Sequence, residues 1–217
     1  MRTAPEVLRE LRALANPANV AGMARFGINP RGTLGIGIPH LRRLARRAGR
    51  DHRLAGELWA SGIHEARILA SMIDDPEEVT ERQMERWVRD FDSWDVCDQV
   101  CGNLFRATSV AYRKAVEWSA REEEFVRRAG FVMMATLAVA DKAAPDARFS
   151  RFLPLIVRRS DDDRNFVRKA VNWALRQIGK RSPGLRREAI QTAQGLLRSD
   201  SRSARWIARD ALRELER

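Results

Sequence analysis

The pentapeptide FVRRA at Phe125–Ala129 recurs as FVRKA at Phe166–Ala170, 41 positions later in the chain. The tripeptide ALR recurs in the same way at Ala174–Arg176 and at Ala211–Arg213, 37 positions apart. Periods of this size in segments with helical apolar spacing are typical of stacked helix pairs. The recurrence therefore predicts an all-α, HEAT-like or armadillo-like right-handed superhelical solenoid of paired antiparallel helices, whose concave face is suited to binding.

Helical periodicity continues along the whole chain, and the alternating pattern of a strand is nearly absent. The pairs Asn16-Pro17, Asp75-Pro76 and Ser182-Pro183 each place a capping side chain before a proline suited to a first helical turn. Pro154 is expected to break or kink its helix, and Gly27–Ile38 is expected to be a long loop. The predicted helices are 5–15, 17–26, 39–48, 52–60, 63–73, 76–90, 93–104, 108–119, 122–139, 146–158, 162–180, 183–198 and 201–216. No low-complexity linker divides them, so we expect a single domain over residues 1–217 with one concave basic cleft.

The charge of the chain is strongly positive and unevenly distributed. The net charge is +11 and the isoelectric point is about 11.0. Arg164–Arg217 holds fourteen basic and five acidic residues, and Arg31–Arg53 holds seven and one, whereas Asp74–Asp98 holds ten acidic residues and three arginines. Basic ends around an acidic middle suggest a protein that clamps a polyanion, with nucleic acid as the first candidate. A membrane surface fits less well, because no segment combines a basic face with a large exposed aromatic face.

Several classes of protein are disfavoured by what the sequence lacks. No apolar run approaches the length of a membrane span, and no secretory leader is recognisable, so we expect a cytoplasmic protein. Cys97 and Cys101 are too few for a disulfide framework or a four-ligand zinc site and are best read as core residues. No phosphate-binding loop, nucleophile elbow or metalloprotease motif is present, and His40, His52 and His64 are scattered. No metal or cofactor is expected.

Trp94 and Asp98 form the first candidate site. Ser93 is suited to the N-cap of a helix over residues 93–104, whose apolar stripe lies on the side away from Asp98. Trp94 lies at the edge of that stripe, and Asp98, one turn later, lies outside it. Gly102, another turn on, adds no side chain to cover them. The alternative is a boundary tryptophan beside a solvated or capping aspartate.

A second candidate surface lies on the helix predicted over residues 162–180. Lys169, Trp173, Arg176 and Lys180 share the face opposite its apolar stripe. A tryptophan among cations and away from the core is typical of a nucleic-acid surface, in which the indole packs on sugar or base and the cations bind phosphates. The alternative is a Trp173 packed against the stems of neighbouring arginines.

The helix predicted over residues 122–139 is apolar on every face after Ala129, which indicates burial in the middle of the stack. Arg127 and Arg128 lie at its charged beginning. Arg128 shares a face with apolar residues, so its guanidinium must find a partner or reach a groove. A structural pair with a carboxylate and a binding role in the groove both remain open.

Five short segments carry a resemblance to a known family by their order and spacing. They are Ala18–Phe26 (ANVAGMARF), Leu34–Ile36 followed by Pro39 and Arg42-Arg43, Ser93–Asp98 (SWDVCD), Val126–Ala129 (VRRA) and Val167–Arg176 (VRKAVNWALR). The chain resembles, over nearly its whole length, the HEAT-like-repeat DNA alkylation repair proteins, the alkylpurine DNA glycosylases of the AlkD type. The resemblance implies a monomeric enzyme that excises cationic N3- or N7-alkylpurines from double-stranded DNA, without a metal and without flipping the base into a deep pocket.

In that family two tryptophans, an aspartate and an arginine line the cleft, and by position these fall on Trp94, Trp173, Asp98 and Arg128. The resemblance implies that Asp98 stabilises positive charge developing on the deoxyribose, that the tryptophans face the sugar and backbone, and that Arg128 holds a phosphate. Further cations are expected to add salt-sensitive DNA affinity. They are Arg43, Arg127, Lys169, Arg176 and Lys180.

Two positions depart from the family pattern. Ser93 stands where the family often has a first tryptophan of a pair, and Gly37 stands where it has a glutamine. Three hypotheses follow, of which the first is a monofunctional alkylpurine DNA glycosylase. The second is a non-catalytic HEAT-like protein that binds DNA or recognises lesions, and the third is a protein-interaction scaffold. Both DNA-binding hypotheses require Trp94, Asp98, Arg128 and Trp173 to converge on one cleft.

Overall fold

Helix follows helix along the chain in the computed structural model, which describes residues 2–217. The α-helices are α1 (Ala4–Ala13), α2 (Pro17–Arg25), α3 (Ile38–Ala48), α4 (His52–Ala60), α5 (His64–Ile73), α6 (Glu81–Arg89), α7 (Trp94–Asn103), α8 (Ala111–Ser119), α9 (Glu124–Ala140), α10 (Asp146–Ser150), α11 (Leu153–Arg158), α12 (Asn165–Gly179), α13 (Pro183–Leu197) and α14 (Arg202–Leu215). A short 3₁₀-helix, Phe105–Ala107, follows α7. Residues 2–217 contain no strand, so the prediction of an all-α protein is confirmed.

The helices group into two compact units, of which the first ends at Ser109 and the second is Val110–Arg217. In the first unit, α5 packs against α3, α4 and α7. In the second, α9 packs against α8 and α12, and α12 also packs against α13 and α14. The single domain with one concave cleft, expected from the sequence, stays a prediction.

Two of the three predicted proline-led helix starts are confirmed. Pro17 and Pro183 are the first residues of α2 and α13, and the side chains of Asn16 and Ser182 accept capping hydrogen bonds from backbone N–H groups in the first turns. Each cap satisfies an N–H group that has no partner within the helix.

The predicted start at Asp75-Pro76 is wrong. The chain forms a turn there, in which the Asp75 side chain accepts a hydrogen bond from the N–H of Glu77, 3.1 Å away. Helix α6 begins later, after Thr80, whose hydroxyl accepts a hydrogen bond from the N–H of Gln83. An aspartate that binds the backbone two residues on stabilises a turn in competition with a helix, which explains the shorter α6.

The break expected at Pro154 is confirmed, because the single helix predicted over residues 146–158 is divided into α10 and α11. Pro154 lies in the first turn of α11, where its missing N–H leaves no hydrogen bond unmade. The long loop is also confirmed, since residues 27–37 contain no helix.

Helix α9 is buried on all sides between Val126 and Ala135, which confirms the predicted burial for this part of the helix, but its last turn is not fully buried, since Val139 is 48% exposed. It therefore forms the centre of the second unit, between α8 and α12. Among residues 2–217, no helix has the length and apolar character that crossing a membrane requires.

Candidate nucleic-acid interface

The start of α7 anchors the loop at residues 27–37. Ser93 has the extended backbone expected of an N-cap, but its hydroxyl does not cap the helix. The hydroxyl instead accepts a hydrogen bond of 2.8 Å from the N–H of Asn29, and the Ser93 side chain is fully buried. The Asn29 side chain in turn donates to the carboxylate of Asp92 at 2.8 Å. The serine that replaces a family tryptophan is thus part of a clasp between this loop and α7.

The indole of Trp94 has a fixed position beside the same loop. Its Nε1–H donates a hydrogen bond of 3.0 Å to the carbonyl oxygen of Phe26, and the ring is half-buried. The Phe26 side chain is 73% exposed, which is unusual for a large apolar residue. Asp98, one turn further along α7, is also half-buried. Trp94 and Asp98 therefore share one side of α7, as predicted.

Trp94 lines a groove of about 560 Å³, which we call the indole groove. Its walls come from α2, the loop, the start of α3, α5 and α7 and are mostly apolar: Ala18, Asn19, Gly22, Met23, Phe26, Ile28, Gly35, Ile36, Gly37, Ile38, His64, Ile68, Trp94 and Asp95. Gly37, where the family has a glutamine, is one of these residues. With no side chain at this position, the groove lacks the amide that a glutamine would present.

His64 and Asp95 form a buried hydrogen-bonded pair at this groove, with 2.8 Å between Nε2 and the carboxylate. Burial lowers the pKa of His64, but the hydrogen bond to Asp95 and the neighbouring carboxylates outweigh it and raise the pKa above its usual value. The sequence alone shows His64 only as one of three scattered histidines. Asp95 lies in the first turn of α7.

The raised pKa of His64 predicts a pH-dependent stability. The folded protein holds the His64 proton more tightly than the unfolded chain, whose histidine titrates near 6.5. The stabilisation is therefore fully present below about pH 6.5 and is lost as the pH rises through the folded-state pKa. We expect the difference in unfolding free energy between the wild type and His64→Gln to shrink between about pH 6 and about pH 9. Urea unfolding of both proteins at both pH values measures this difference. A difference that stays constant would contradict the raised pKa of His64.

Glu65 holds the loop beside the groove in place through hydrogen bonds to its backbone. Its buried carboxylate accepts hydrogen bonds from three consecutive backbone N–H groups, those of Leu34 at 2.8 Å, Gly35 at 2.6 Å and Ile36 at 3.1 Å. Glu65 was not predicted from the sequence. The available signal was a single carboxylate within the apolar pattern of α5, because a buried charge requires partners.

Glu65→Gln is expected to lower the unfolding free energy by about 2–3 kcal/mol, because an amide offers one acceptor oxygen to three N–H donors. Urea unfolding measures the loss, and hydrogen exchange at residues 34–36 shows whether the loop has loosened. Glu57→Gln is the matched control, since Glu57 is exposed and pairs with Arg53 one turn away. We expect the control to cost less than about 0.5 kcal/mol. Equal losses in the two variants would contradict the role of Glu65.

Arg127 is held within the second unit by carboxylates. Its guanidinium lies 2.7 Å from Asp162 and 2.8 Å from Glu122, and its side chain is only 6% exposed. Burial raises the pKa of Asp162, but hydrogen bonds from Arg164 and then Arg127 outweigh it and lower the pKa to about 2. Arg127 thus connects the start of α9 with the segment before α12, and its predicted contact with DNA stays a prediction.

Arg128 is also buried, and one of its terminal N–H groups donates to the carbonyl oxygen of Phe166 at 2.5 Å. This hydrogen bond fixes part of the guanidinium against the first turn of α12. The role of Arg128 at a DNA phosphate stays a prediction.

The face predicted on α12 exists, but its cations differ in their surroundings. Lys169 is exposed and Trp173 is half-buried, while the apolar stripe of α12 lies in the core. Arg176 and Lys180 both form ion pairs with Glu214 of α14. The sequence of α12 alone does not show these partners, because they lie on another helix. Binding of DNA by the four residues stays a prediction.

Arg43 lies exposed on α3, and within residues 2–217 no carboxylate is in ion-pair distance of it. In the same part of the chain, no group of three or more histidine, cysteine, aspartate or glutamate side chains is arranged to hold a metal ion.

Trp94 and Asp98 belong to the first unit, whereas Arg128 and Trp173 belong to the second. Their convergence on one cleft stays a prediction.

Comparison with solved structures supports the fold. One solved structure, described as "A new family of proteins related to the HEAT-like repeat DNA glycosylases with affinity for branched DNA structures", matches with a TM-score of 0.81. The sequences are 20% identical, and the match covers 99% of this chain and 96% of the other. The HEAT-like fold predicted from the repeats is thereby confirmed.

Comparison with sequences supports the resemblance. No curated protein matches the chain significantly. The sequence profile described as "DNA alkylation repair enzyme", however, matches residues 7–215. Because this profile covers nearly all of the chain, the chain belongs to the DNA alkylation repair enzyme family.

Proposed function

We propose that the protein is a monofunctional DNA glycosylase that hydrolyses the N-glycosidic bond of cationic N3- or N7-alkylpurines in double-stranded DNA. The observation that carries the proposal is the arrangement on α7. Trp94 is oriented by its hydrogen bond to Phe26 beside an open groove, and Asp98 follows one turn later on the same side. An oriented indole next to a carboxylate suits a substrate whose sugar becomes positively charged.

The chemistry requires little from the protein. A cationic alkylpurine is a good leaving group, so the C1′–N bond breaks with its electron pair leaving on the base, and no strong general acid is needed. The deoxyribose then acquires oxocarbenium character, which the carboxylate of Asp98 stabilises. Water, oriented by Asp98, adds to C1′, and its proton passes to the solvent. The products are a free alkylpurine and an abasic site.

The other candidate residues have binding roles in this proposal. Trp94 and Trp173 present their π faces to the sugar and backbone beside the lesion and favour the cationic state. Arg128 holds a phosphate near the lesion. Exposed cations, such as Lys169 and Arg43, add affinity that does not depend on base sequence and falls with salt.

A second candidate function is non-catalytic recognition of DNA. The solved structure with a TM-score of 0.81 is described as having affinity for branched DNA, which favours a binding role for this fold. The departures at Ser93 and Gly37 also lie beside Trp94, at the loop clasp and in the indole groove. A protein of this kind would bind a DNA junction at least as tightly as a duplex and release no base.

Single-turnover release of 7-methylguanine from a methylated duplex separates the two functions. Free base is quantified over time with enzyme in excess, in parallel with binding of an unmodified duplex and of a four-way junction at the same salt concentration. Release with first-order kinetics well above the spontaneous rate supports the glycosylase. Junction binding without release would instead support the non-catalytic alternative, and failure to bind either DNA would reject both.

A further inference from the structure

We infer that a second groove on the first unit, formed by Arg42, Arg46 and Arg106, binds a backbone phosphate of DNA close to the lesion. This groove, which we call the arginine groove, has a volume of about 310 Å³. Its lining residues are Arg42, Ala45, Arg46, Met72, Gly102, Asn103 and Arg106. The inference rests on the proposed binding of DNA and assigns a particular contact to it.

The helices bring the three arginines together from distant parts of the sequence. Arg42 and Arg46 are one turn apart on α3 and therefore project from the same face. Arg106 comes from the 3₁₀-helix after α7, and its Nε–H donates to the carbonyl oxygen of Gly102. That hydrogen bond restrains the guanidinium before any ligand binds. A partly restrained cation loses less conformational entropy when it binds an anion.

The charges of the arginine groove are not balanced within the protein. Among residues 2–217, no carboxylate lies within ion-pair distance of Arg42, Arg46 or Arg106. Arg47 and Arg50, close by in sequence, pair instead with Glu10 and Asp75. Three guanidinium groups around one small groove repel one another, and an anion between them relieves that repulsion. The planar donor pairs of arginine match the oxygens of a phosphate group.

The arginine groove is close to the proposed catalytic carboxylate along α7. Gly102 lines the groove and follows Asp98 by one turn, which corresponds to a rise of about 6 Å along the helix axis. Successive nucleotides of one strand are about 3.4 Å apart along the DNA axis. With Asp98 at the lesion sugar, a phosphate in the arginine groove therefore belongs to a linkage within about two nucleotides of the lesion. Such a contact would fix the position of the strand on α7.

The first test compares two double variants that remove the same charge. Arg42→Gln/Arg46→Gln is expected to weaken duplex binding about tenfold and to reduce the slope of log affinity against log salt by about one. Arg47→Gln/Arg50→Gln is the control, because these neighbouring arginines already have carboxylate partners. We expect the control to change affinity less than about threefold. Equal effects of the two variants would show general charge attraction only and would overturn the inference, as would an unchanged affinity of Arg42→Gln/Arg46→Gln.

The second test locates the phosphate. Single linkages around the lesion are replaced with uncharged methylphosphonates, and the affinity of each duplex is measured for the wild type and for Arg42→Gln/Arg46→Gln. We expect one linkage, within about two nucleotides of the lesion, whose neutralisation weakens the wild type but not the variant. If every substitution affects both proteins equally, the arginine groove binds no particular phosphate and the inference is wrong.

The experiments distinguish an arginine groove that binds no phosphate from a proposed function that is wrong. Release of 7-methylguanine with no specific effect of Arg42 and Arg46 leaves the glycosylase intact and rejects the groove. A specific effect on binding without release of base supports the groove in a non-catalytic DNA-binding protein. Melting temperatures of all variants, which we expect to agree with the wild type because Arg42 and Arg46 are exposed, exclude unfolding as the cause.

Discussion

Replacing Asp98 with asparagine is expected to slow the single-turnover release of 7-methylguanine by about 10²-fold or more. Asparagine keeps the size of the side chain and removes its negative charge, so the change acts on the stabilisation of the oxocarbenium-like sugar. Removing one negative charge from the surface of a DNA-binding protein should leave duplex affinity unchanged or raise it. Slow release together with intact binding would therefore assign the loss to the chemical step.

The control for this experiment is Asp163→Asn, which removes the same charge from an exposed position before α12. We expect this variant to release base at the wild-type rate. If Asp98→Asn also retained the wild-type rate, Asp98 would not be the stabilising carboxylate, and the mechanism proposed for α7 would be wrong. If both variants lost activity equally, the effect would come from overall charge.

Gly130→Ala is expected to lower the unfolding free energy by about 3 kcal/mol. Gly130 lies in α9 where it crosses α8, and a methyl group at this position would come within 2.3 Å of the backbone nitrogen of Ser119 and 2.9 Å of the carbonyl oxygen of Ala115. Both atoms belong to the backbone of α8, so no side-chain rotation relieves the contact. The two helices must move apart, and the buried core around α9 loses packing contacts.

Gly195→Ala is the matched control, because Gly195 is an exposed helical glycine with nothing within 4 Å of an added methyl group. Alanine favours a helix over glycine, so this variant should be more stable than the wild type by up to about 1 kcal/mol. Opposite signs for the two substitutions, measured by urea unfolding, would confirm the close approach of α8 and α9. A Gly130→Ala variant as stable as the wild type would show that the helices separate at little cost.

The candidate residues differ in how far their surroundings could be predicted. Trp94 and Asp98 were identified correctly as neighbours on one side of α7, because two residues four apart on a helix must share a side. The functions of Ser93 and Glu65 were not predicted, because their hydrogen bonds reach loop residues about 64 and about 30 positions away. No local pattern specifies which distant N–H group a buried side chain meets.

For the cations, the sequence predicted the face of the helix on which they lie but not the carboxylates that pair with them. Composition predicted a protein that binds a polyanion, and helical spacing placed Lys169, Arg176 and Lys180 on one face of α12. Glu214 approaches this face from α14, and its ion pairs with Arg176 and Lys180 depend on the packing of two helices. Conversely, the sequence favoured Arg43 on α3, whereas the packing of α3 and α7 against α5 gathers Arg42, Arg46 and Arg106 around one groove.

Local sequence patterns predicted the helical class, the ends of most helices, the break at Pro154 and the apolar stripes of α7 and α12. These features depend on backbone geometry and on interactions within a few residues, which the order of amino acids specifies directly. The packing of the helices, in contrast, sets which charges are neutralised, which loop each buried carboxylate holds and where grooves open. Those outcomes depend on contacts between segments that lie tens of residues apart, and such contacts exist only after the helices have packed.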